Sequence, residues 1–524
     1  MKNIKWMIAA LSVVLISSCT KDLDRTPAYS TTADVLYSTE AGYKSALAKV
    51  YGGLALTGNS GPAGSGDIRG IDEGFSDYLR TYFNLQELPT DEAVVSWNDQ
   101  TIKDFHEMDW SASDNFVRAL YSRLFYQITL ANAFINESSE EKVNARGLSK
   151  DADKIQDYRS EARFLRALSY LHALDLFGNV TFVTDSNVVG TSFLPRQATR
   201  AELFSYIEKE GKELETLLAE PKTNEYGRID KAALWMLMAN LYLNAEVYIN
   251  TKKYTEAAEY SAKVMAAGYS LQPKYNELFL ADNNKSPEFI FAVAFDGVRT
   301  KSFGGTTFLT HAPVGGKMLD IAKDSFGVNG GWSGYRTTSG LVNKFADPSG
   351  ATDKRALFFT NGQSLQINDI SVFTDGYGIS KWRNVTSTGA LGSNLDHSDV
   401  DFPIYRLAEA YLIYAEAKVR LGSIPEAVAA INKVVERAHS GSTNFNYTTL
   451  TLDNILDERA KELYWEAKRR TDLIRFGKFT TSAYLWPWKG GVASGTSVQT
   501  FRNLYPIPSP EINSNPNLAQ NTGY

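Results

Sequence analysis

Residues 161–178 read EARFLRALSYLHALDLFG. Within this run, Leu165, Leu168 and Leu171 recur at the spacing that places side chains on one face of an α-helix, while the arginines fall elsewhere. The run closes on Gly178, and glycine is the residue that most often follows the last turn of a helix. The pattern therefore predicts a long amphipathic helix that buries one face and ends at Gly178.

An internal repeat extends this helical pattern along the chain. Residues 245–246 are Ala-Glu and residues 256–257 are Glu-Ala, and the same two dipeptides recur at 415–416 and 426–427. In both copies a short polar turn separates two amphipathic segments, and the small alanines allow paired helices to approach closely. The spacing favours a helix–turn–helix repeat of the tetratricopeptide kind, and two ordinary helical hairpins would also fit it.

Helical periodicity is concentrated in two blocks, residues 115–268 and 404–476. In contrast, residues 50–114 and 271–400 are dense in glycine, serine, asparagine and aromatic residues. Loops of this length in a compact protein usually carry function. We therefore predict an all-α fold, with a tetratricopeptide-like helical repeat scaffold, long irregular loop insertions and short β-hairpin insertions, in a single domain over residues 19–524.

The second insertion contains β-type sequence. Residues 289–295 and 370–373 are rich in phenylalanine, isoleucine and valine. These residue types are enriched in strands, and runs of this length are ordinary for short strands. Both runs are predicted to be short strands.

The amino terminus has the features of an export signal. Lys2 and Lys5 give it positive charge, and the apolar run 6–16 is too short to cross a bilayer, which takes about 20 residues. Small residues then precede Cys19, the single cysteine of the chain, in a pattern that resembles the bacterial lipobox. A lone cysteine elsewhere usually packs as a small buried hydrophobe. We predict a signal peptide over residues 1–18 and lipidation of Cys19.

The composition excludes several classes of partner and site. The chain has 54 basic and 60 acidic residues and a formal net charge of −6, whereas nucleic-acid binding rewards clustered lysine and arginine. A single cysteine excludes an internal disulfide and a cysteine-based zinc site. We therefore expect no nucleic-acid partner.

The sequence carries no recognisable catalytic or metal-binding motif. The His106-Glu107 pair lacks a second histidine at the spacing of a zinc-protease helix, and Tyr335 stands where a nucleophile elbow needs its last glycine. The many carboxylates leave room for a glycosidase pair, yet nothing distinguishes one pair from the rest. We expect no enzyme activity, no cofactor and no metal.

Charged residues on the predicted helices are interpreted as structural. His172 lies on an apolar helix and is interpreted as a core histidine. The other charged residues are expected to form ion pairs and helix-end contacts. They are Arg163, Arg166, Arg406, Glu409, Glu458, Arg459, Asp472 and Arg475.

Several stretches together resemble the SusD/RagB family of outer-membrane nutrient-binding lipoproteins. Residues 161–170 read EARFLRALSY and residues 403–410 read PIYRLAEA. No single stretch is decisive, but their order spans nearly the whole mature chain, and Thr181 is one departure where the family often has proline. The matching stretches are residues 161–178, 227–233, 275–279, 283–288, 403–410, 458–466, 470–477, 506–508, 515–516 and 520–524.

The resemblance implies a fold, a location and a partner. Members of this family have a core of tetratricopeptide units with irregular segments packed to one side. They lie at the outer face of a Bacteroidetes outer membrane, as a lid over a TonB-dependent transporter of the SusC type, and present a ligand for import. The family's ligand contacts come from the irregular segments, so the resemblance directs the search for a site to the two insertions.

Aromatic residues in these insertions are the candidates for ligand contact. A pyranose has an apolar face that a tryptophan or tyrosine ring can cover, while polar side chains satisfy its hydroxyl groups. An isolated loop tryptophan is otherwise often a hydrophobic plug, and Trp110 is interpreted as one. The predicted ligand-binding residues are Trp97, Asn98, Phe303, Trp332, Tyr335 and Trp382.

Four functions are compatible with this pattern. The first is a non-catalytic surface receptor for a glycan, with a starch-like α-glucan as the leading ligand, working with a SusC-like transporter. A receptor for a peptide or another nutrient, as in the RagB branch, is the alternative within binding. A surface glycoside hydrolase and a tetratricopeptide adaptor that binds only protein are alternatives from other classes.

Replacing Cys19 tests the predicted anchor. The Cys19→Ala variant removes the thiol that would carry the lipid, so the protein is expected to leave the membrane fraction. Stable anchoring takes more than one acyl chain, and a variant without any has no comparable apolar attachment. Cell fractionation with a Ser17→Ala control is the measurement, and a Cys19→Ala protein that stays in the outer membrane would refute the anchor.

Overall fold

The computed structural model of the protein describes residues 32–63, 66–99, 101–187 and 193–524. The predicted signal peptide and Cys19 lie outside these residues. Within them, no helix combines the length and the apolar character needed to cross a membrane.

Helices make up most of the regular structure. They are α1 (Ala33–Leu36), α2 (Glu40–Gly52), α3 (Tyr78–Glu87), α4 (Asp104–Glu107), α5 (Asn115–Glu137), α6 (Glu140–Ala145), α7 (Ala152–Phe177), α8 (Arg200–Leu214), α9 (Lys231–Leu243), α10 (Ala245–Ile249), α11 (Tyr254–Met265), α12 (Gly305–His311), α13 (Ser339–Val342), α14 (Leu407–Arg420), α15 (Ile424–Ala438), α16 (Leu452–Leu463), α17 (Arg469–Arg475) and α18 (Ser509–Ser514). The strands are short: β1 (Val94–Val95), β2 (Val180–Thr181), β3 (Gln197–Ala198), β4 (Phe289–Val293), β5 (Tyr335–Arg336), β6 (Phe358–Phe359), β7 (Gly378–Ile379) and β8 (Phe402–Arg406).

The long helix α7 forms the centre of the first helical block. It packs against α2, α5 and α8, and nearly all of its second half is buried. It ends at Gly178, whose φ of 73° is the left-handed conformation that glycine adopts without strain. The helix end predicted from the sequence is therefore confirmed.

The two copies of the internal repeat pack together. Helix α9 packs against α11, α11 against α14, and α14 against α15, so the copies form one continuous stack of helices. Ala245, Ala257, Ala415 and Ala427 are all fully buried, as close helix packing requires. The first copy is interrupted at Asn244, where α9 ends and the short α10 begins. The all-α, tetratricopeptide-like fold class is confirmed.

The strands pair across long stretches of sequence. In the described residues they form four two-stranded antiparallel sheets: β1 with β5, β2 with β3, β4 with β8, and β6 with β7. The β4–β8 pair brings together the two ends of the second insertion. The insertion is therefore closed at its base and joined there to the helical scaffold.

One predicted strand does not form. Residues 370–373 lie in a turn region, although 289–293 form β4 as expected. The Asp375 carboxylate accepts hydrogen bonds from the amides of Asn368 and Asp369, at 2.8 and 2.9 Å, and the Asp369 carboxylate accepts one from Ser371 at 2.9 Å. Aspartate side chains that bond nearby amides in this way compete with a strand ladder.

A buried network of charges joins the insertion to the helices. Arg406, the last residue of β8, contacts Glu288 at 2.8 Å, Glu462 at 2.5 Å and Glu466 at 2.7 Å. Arg437 adds a second cation, 3.0 Å from Glu288. All five side chains are buried, so each charge depends on its partners.

The charged residues interpreted as structural do form ion pairs. Arg475 contacts Glu416 and Asp472, each at 2.7 Å, and Arg459 also contacts Asp472 at 2.7 Å. The remaining pairs join Arg163 and Arg166 to Glu210, Glu458 to Arg355, and Glu409 to Lys468. The structural interpretation is confirmed for all eight residues.

Two further interpretations of core residues are confirmed. The His172 ring is buried, stacks on Tyr82 with ring centroids 4.2 Å apart, and lies 2.8 Å from the Tyr78 hydroxyl. Burial lowers the pKa of His172 to about 3, so the ring is neutral. Trp110 is 1% exposed, and its indole N–H donates to the Tyr524 hydroxyl at 2.6 Å.

Neutralising Glu462 tests the buried network. Burial raises the pKa of Glu462, but Arg437, Arg406 and Arg355 outweigh it and bring the pKa to about 2. Removing one partner of a buried ion network typically costs about 3–5 kcal/mol. The Glu462→Gln variant is therefore expected to lose free energy of unfolding on this scale at neutral pH, measured by denaturant unfolding.

The pH dependence provides the control for this variant. Because the pKa of Glu462 is depressed below its ordinary 4.5, its contribution is complete above pH 4.5 and is lost as the pH falls towards 2. The difference in free energy of unfolding between Glu462→Gln and the unmodified protein should shrink over that interval.

Glu213→Ala, which removes a half-exposed partner of Arg163, is a second control and should cost less than about 1 kcal/mol of unfolding free energy. Equal losses in the two variants would contradict the role of the network.

Candidate functional site

A short strand pair brings the two insertions together. In the β1–β5 pair, Val95 lies opposite Tyr335, and beyond it the Ser96 amide donates to the Gly334 carbonyl at 2.9 Å. The Ser96 hydroxyl also donates to the Ser333 carbonyl at 2.6 Å. These bonds place the loop after β1 directly beside the loop before β5, so Trp97 becomes a neighbour of Trp332.

Trp97 and Trp332 form a pair of half-buried rings. Their ring centroids are 6.4 Å apart and the planes are inclined by 42°. The Trp97 indole N–H donates to the Trp332 carbonyl at 2.8 Å, which fixes the orientation of the ring. Phe303, also half-buried, adds a third ring 6.5 Å from Trp332 and inclined to it by 69°.

The three rings line an open depression of about 540 Å³. Four of the six residues predicted from the sequence meet here: Trp97, Asn98, Phe303 and Trp332. Asn98 and Asp99 are exposed and place an amide and a carboxylate at the depression. We call this the aromatic depression; its described lining residues are Gly74, Arg80, Trp97, Asn98, Asp99, Phe303 and Trp332.

Two predicted residues do not reach the aromatic depression. Tyr335 is 0% exposed: its hydroxyl donates to Asn84 at 2.9 Å, and its ring packs edge-on against Trp97 at 5.3 Å. Trp382 is 1% exposed and stacks on Phe402 with centroids 5.5 Å apart and planes inclined by 10°. Neither ring has a face free for a ligand, so both are corrected from ligand contacts to core residues. Tyr335 supports the site from beneath.

Arg80, Gly74 and Asp99 line the aromatic depression without having been predicted from the sequence, and Arg80 is the cation among them. Its Nη1 donates to the carbonyls of Gly74 and Phe303, at 2.8 and 3.0 Å. The guanidinium lies over Trp97 and Trp332, at 5.9 and 5.8 Å from the ring centroids. Burial lowers the pKa of Arg80, but an arginine so far above neutral pH keeps its charge. The sequence indicates Arg80 only as a single positive charge within an aromatic-rich segment.

The glycines near Trp332 serve close packing. A Cβ at Gly334 would lie 2.3 Å from the Trp97 indole, and a Cβ at Gly331 would lie 1.9 Å from the Val314 carbonyl oxygen. Such distances are too short for any side chain, so these positions require glycine. Because Gly334 has no side chain, the Trp97 ring lies directly against the backbone.

The loop that carries Trp332 is fixed to helix α12. The amides of Trp332 and Gly334 donate to the carbonyls of His311 and Ala312, both at 2.9 Å. The Trp332 ring also packs against the His311 ring, with centroids 5.2 Å apart. The carbonyls at the end of α12 are thereby satisfied, and the loop is held without regular secondary structure of its own.

The chemistry of the aromatic depression fits binding better than hydrolysis. Among its described lining residues, Asp99 is the single carboxylate, whereas glycoside hydrolysis usually needs two facing carboxyl groups. Elsewhere, Asp104, Glu107 and Asp109 bring carboxylate oxygens within 4.8 Å of one another. None of these three lines the aromatic depression, and acidic clusters of this kind are common without an ion, so they are not part of the site.

A stack of paired helices that presents a concave set of aromatic rings on its loops defines a helical-repeat ligand-binding protein. Residues 346–524 match the model of the SusD family. Over all of this chain and 99% of the relative, the sequence is 37% identical to "Starch-binding protein SusD" of Bacteroides thetaiotaomicron. The chain therefore belongs to the SusD family, a non-catalytic family whose members include starch-binding and other glycan-binding proteins.

Solved structures share the fold along almost the whole chain. "Surface glycan-binding protein A" from Bacteroides uniformis has a TM-score of 0.71 at 20% identity, covering 92% of this chain and 99% of that one. A "Laminarin binding SusD-like protein" has a TM-score of 0.70 at 20% identity, covering 93% and 100%. At these identities the likeness establishes the fold, whereas the family resemblance read from the sequence is confirmed by the 37% identical relative.

Adding one methyl group at Gly334 tests how the Trp97 ring is held. The Gly334→Ala side chain would overlap the indole, so the ring must move and its hydrogen bond to the Trp332 carbonyl should break. We expect a changed near-UV circular dichroism spectrum and a loss of about 1–3 kcal/mol in stability. Gly330→Ala is the matched control, because a Cβ there meets nothing within 4 Å. Identical spectra for the two variants would refute the packing argument.

Proposed function

We propose that this protein is a non-catalytic surface receptor that captures a glycan in the aromatic depression, with a starch-like α-glucan as the preferred ligand. The observation that carries the proposal is the meeting of Trp97, Phe303 and Trp332, from two distant insertions, around one open concavity. Half-buried rings held rigidly at a solvent-facing surface bind flat apolar faces at a low cost in conformational entropy.

The inclination of the rings supports a curved ligand. Trp97 and Trp332 are inclined by 42°, and Phe303 and Trp332 by 69°, so the three rings are not coplanar. An α-linked glucan coils, so its successive sugar faces are not coplanar either. A straight, ribbon-like glycan would be matched better by coplanar rings. The inclined rings therefore favour an α-glucan among neutral glycans.

Polar groups at the same surface can satisfy the sugar hydroxyls. The Arg80 guanidinium supplies donors, Asn98 supplies both a donor and acceptors, and Asp99 supplies acceptors. Hydroxyl groups left without partners at a binding surface reduce affinity, so these side chains are needed beside the rings. The mixture of one cation and one anion also suits a neutral ligand better than a charged one.

The names of related proteins are consistent with this choice and do not fix it. The 37% identical relative is named as starch-binding, whereas a structure with the same fold is named as laminarin-binding. Members of one fold thus take different glycans. The ligand proposed for this chain accordingly rests on the arrangement of its own rings and on the closer of these two relationships.

We also propose how the receptor is deployed. Cys19 would carry the lipid that anchors the protein at the outer membrane, facing the cell surface, and a SusC-like TonB-dependent transporter would receive the captured glycan. The lipobox-like sequence and the family membership support this arrangement. In the fold, the rigid helical stack would hold the aromatic depression above the transporter while the lipid prevents loss of the protein.

Truncating Trp97 tests the proposed site. Trp97→Ala removes the ring that contacts both Trp332 and Tyr335, and it should weaken retention by amylopectin in affinity gels by more than about tenfold, or about 1.4 kcal/mol. Thermal stability should change little, because the ring is only half-buried. Isothermal titration with a malto-oligosaccharide gives the dissociation constant directly.

Phe445→Ala is the matched control for this experiment. Phe445 is 48% exposed and stacks on His439, and it does not line the aromatic depression. Its removal should leave retention unchanged. Unaltered binding by Trp97→Ala would refute the site, and release of new reducing ends from the polymer would favour the hydrolase alternative.

A further inference from the structure

Asp77 is a buried carboxylate beside the aromatic depression that the proposed function does not yet use. It is the N-cap of helix α3 and is 0% exposed. Its Oδ1 accepts hydrogen bonds from the amides of Leu79 and Arg80, at 2.9 and 3.1 Å. An N-cap of this kind fixes the first turn of the helix, which here is the turn that carries Arg80.

The same carboxylate also holds a segment more than two hundred residues away. Asp77 Oδ1 accepts a third hydrogen bond, from the Gly305 amide at 3.0 Å, and Oδ2 accepts one from the Ser302 hydroxyl at 3.1 Å. These two donors flank Phe303. Since one side chain binds both segments, the positions of Arg80 and Phe303 are coupled through it.

The backbone around Phe303 is built for this close approach. A Cβ at Gly304 would lie 1.9 Å from the Asp77 Cβ, so any other residue at that position would push the two segments apart. The Ser302 hydroxyl accepts a hydrogen bond from the Gly304 amide at 2.8 Å, which orients it towards Asp77. The Phe303 carbonyl in turn accepts from Arg80 Nη1 at 3.0 Å.

Burial raises the pKa of Asp77 above its ordinary value, and the Arg80 amide, Arg123, the Ser302 hydroxyl and the Gly305 amide only partly offset that rise. The two amides and the Ser302 hydroxyl donate to carboxylate oxygens, whereas Arg123 acts through its charge. Hydrogen bonds to an ionised carboxylate are about twice as strong as neutral ones, so in that form Asp77 holds the two segments most firmly.

We infer that Asp77 is a positioning residue for ligand binding: it holds Arg80 and Phe303 as one half of the aromatic depression, while the β1–β5 pair holds Trp97 and Trp332 as the other half. This inference rests on the proposed function. It divides the site into two parts: Asp77 binds α12 at its first residue, Gly305, whereas the Trp332 loop bonds to the opposite end of that helix, at His311 and Ala312. A short glycan that covers the two tryptophans would need only the β1–β5 half, whereas a longer one would also engage Phe303 and Arg80.

Asp114 provides a matched control, because it is a second buried aspartate N-cap. It caps α5 through the amides of Phe116 and Val117, at 2.8 and 2.9 Å, and it does not bind the Phe303 segment. Loss of either cap should lower thermal stability, and Asp77→Ala should lower it more because it also removes the bonds to Ser302 and Gly305. A purely structural role for Asp77 therefore predicts the same binding behaviour for Asp77→Ala and Asp114→Ala.

The experiment compares a long and a short malto-oligosaccharide by titration calorimetry on the full-length protein. Asp77→Ala should weaken binding of the long ligand by about fivefold or more and that of the short ligand by less than about twofold. Asp114→Ala should leave both affinities unchanged. Equal losses for the two ligands with Asp77→Ala, or a long-ligand loss with Asp114→Ala, would overturn the inference.

A double-mutant cycle identifies the route of the effect. If Asp77 acts through Phe303, the affinity of the Asp77→Ala/Phe303→Ala double variant should equal that of Phe303→Ala alone, within about twofold. Asp77→Ala combined with Trp332→Phe should instead show the product of the two separate losses. Independent effects of Asp77 and Phe303 would contradict a positioning role.

Two further measurements keep the inference separate from the proposed function and from misfolding. Hydrogen exchange without ligand should be faster in residues 302–306 of Asp77→Ala and unchanged in residues 332–335, whatever the ligand proves to be. If Asp77→Ala does not fold, Ser302→Ala removes the Oδ2 contact and the acceptor of the Gly304 amide but keeps the bonds to Oδ1, and it should show the same pattern with a smaller amplitude. Unchanged exchange at 302–306 in both variants would overturn the inference, whereas absence of glycan binding by the unmodified protein would overturn the proposed function alone.

Discussion

The buried contact between Arg406 and its carboxylate partners is the constraint on which the second insertion depends. Arg406 ends β8, Glu288 precedes β4, and Glu462 and Glu466 belong to and follow α16. One guanidinium thus joins both ends of the insertion to the helical stack. Because charges removed from water must be paired, this contact admits one arrangement of the three segments, and everything between β4 and β8 is built out from it.

The aromatic depression follows from that closure. With its base fixed, the insertion can return Trp332 and Phe303 to the vicinity of α3, where the first insertion supplies Trp97 and Arg80. Three small features complete the site. They are the two-residue β1–β5 pair, glycines at positions where a Cβ would collide with a neighbouring segment, and the Asp77 carboxylate, which binds two segments. Binding surfaces held by such contacts combine irregular backbone with fixed ring positions, which limits the entropy lost when a ligand binds.

Three tryptophans that lie in similar sequence contexts have different roles because they are buried to different extents. Trp97, Trp332 and Trp382 all lie in glycine- and asparagine-rich insertions, and the composition around them gave the same indication for each. Trp382 meets Phe402 and Phe279 and is buried on all sides, whereas the other two meet solvent at the mouth of the depression. Whether a loop ring is a platform or part of the core depends on which distant segment covers it, and no local pattern records that.

The sequence alone determined the helical architecture, the end of α7 at Gly178, the paired-helix repeat and the structural role of the charged helix residues. These features depend on interactions between residues a few positions apart, or on the general cost of burying a charge, and both leave a periodic or compositional signal. The tertiary structure alone decided which aromatic rings share a surface, that Arg80 belongs to it, and that Tyr335 and Trp382 do not. Those outcomes depend on contacts between segments hundreds of residues apart, whose geometry is set only when the whole chain has closed.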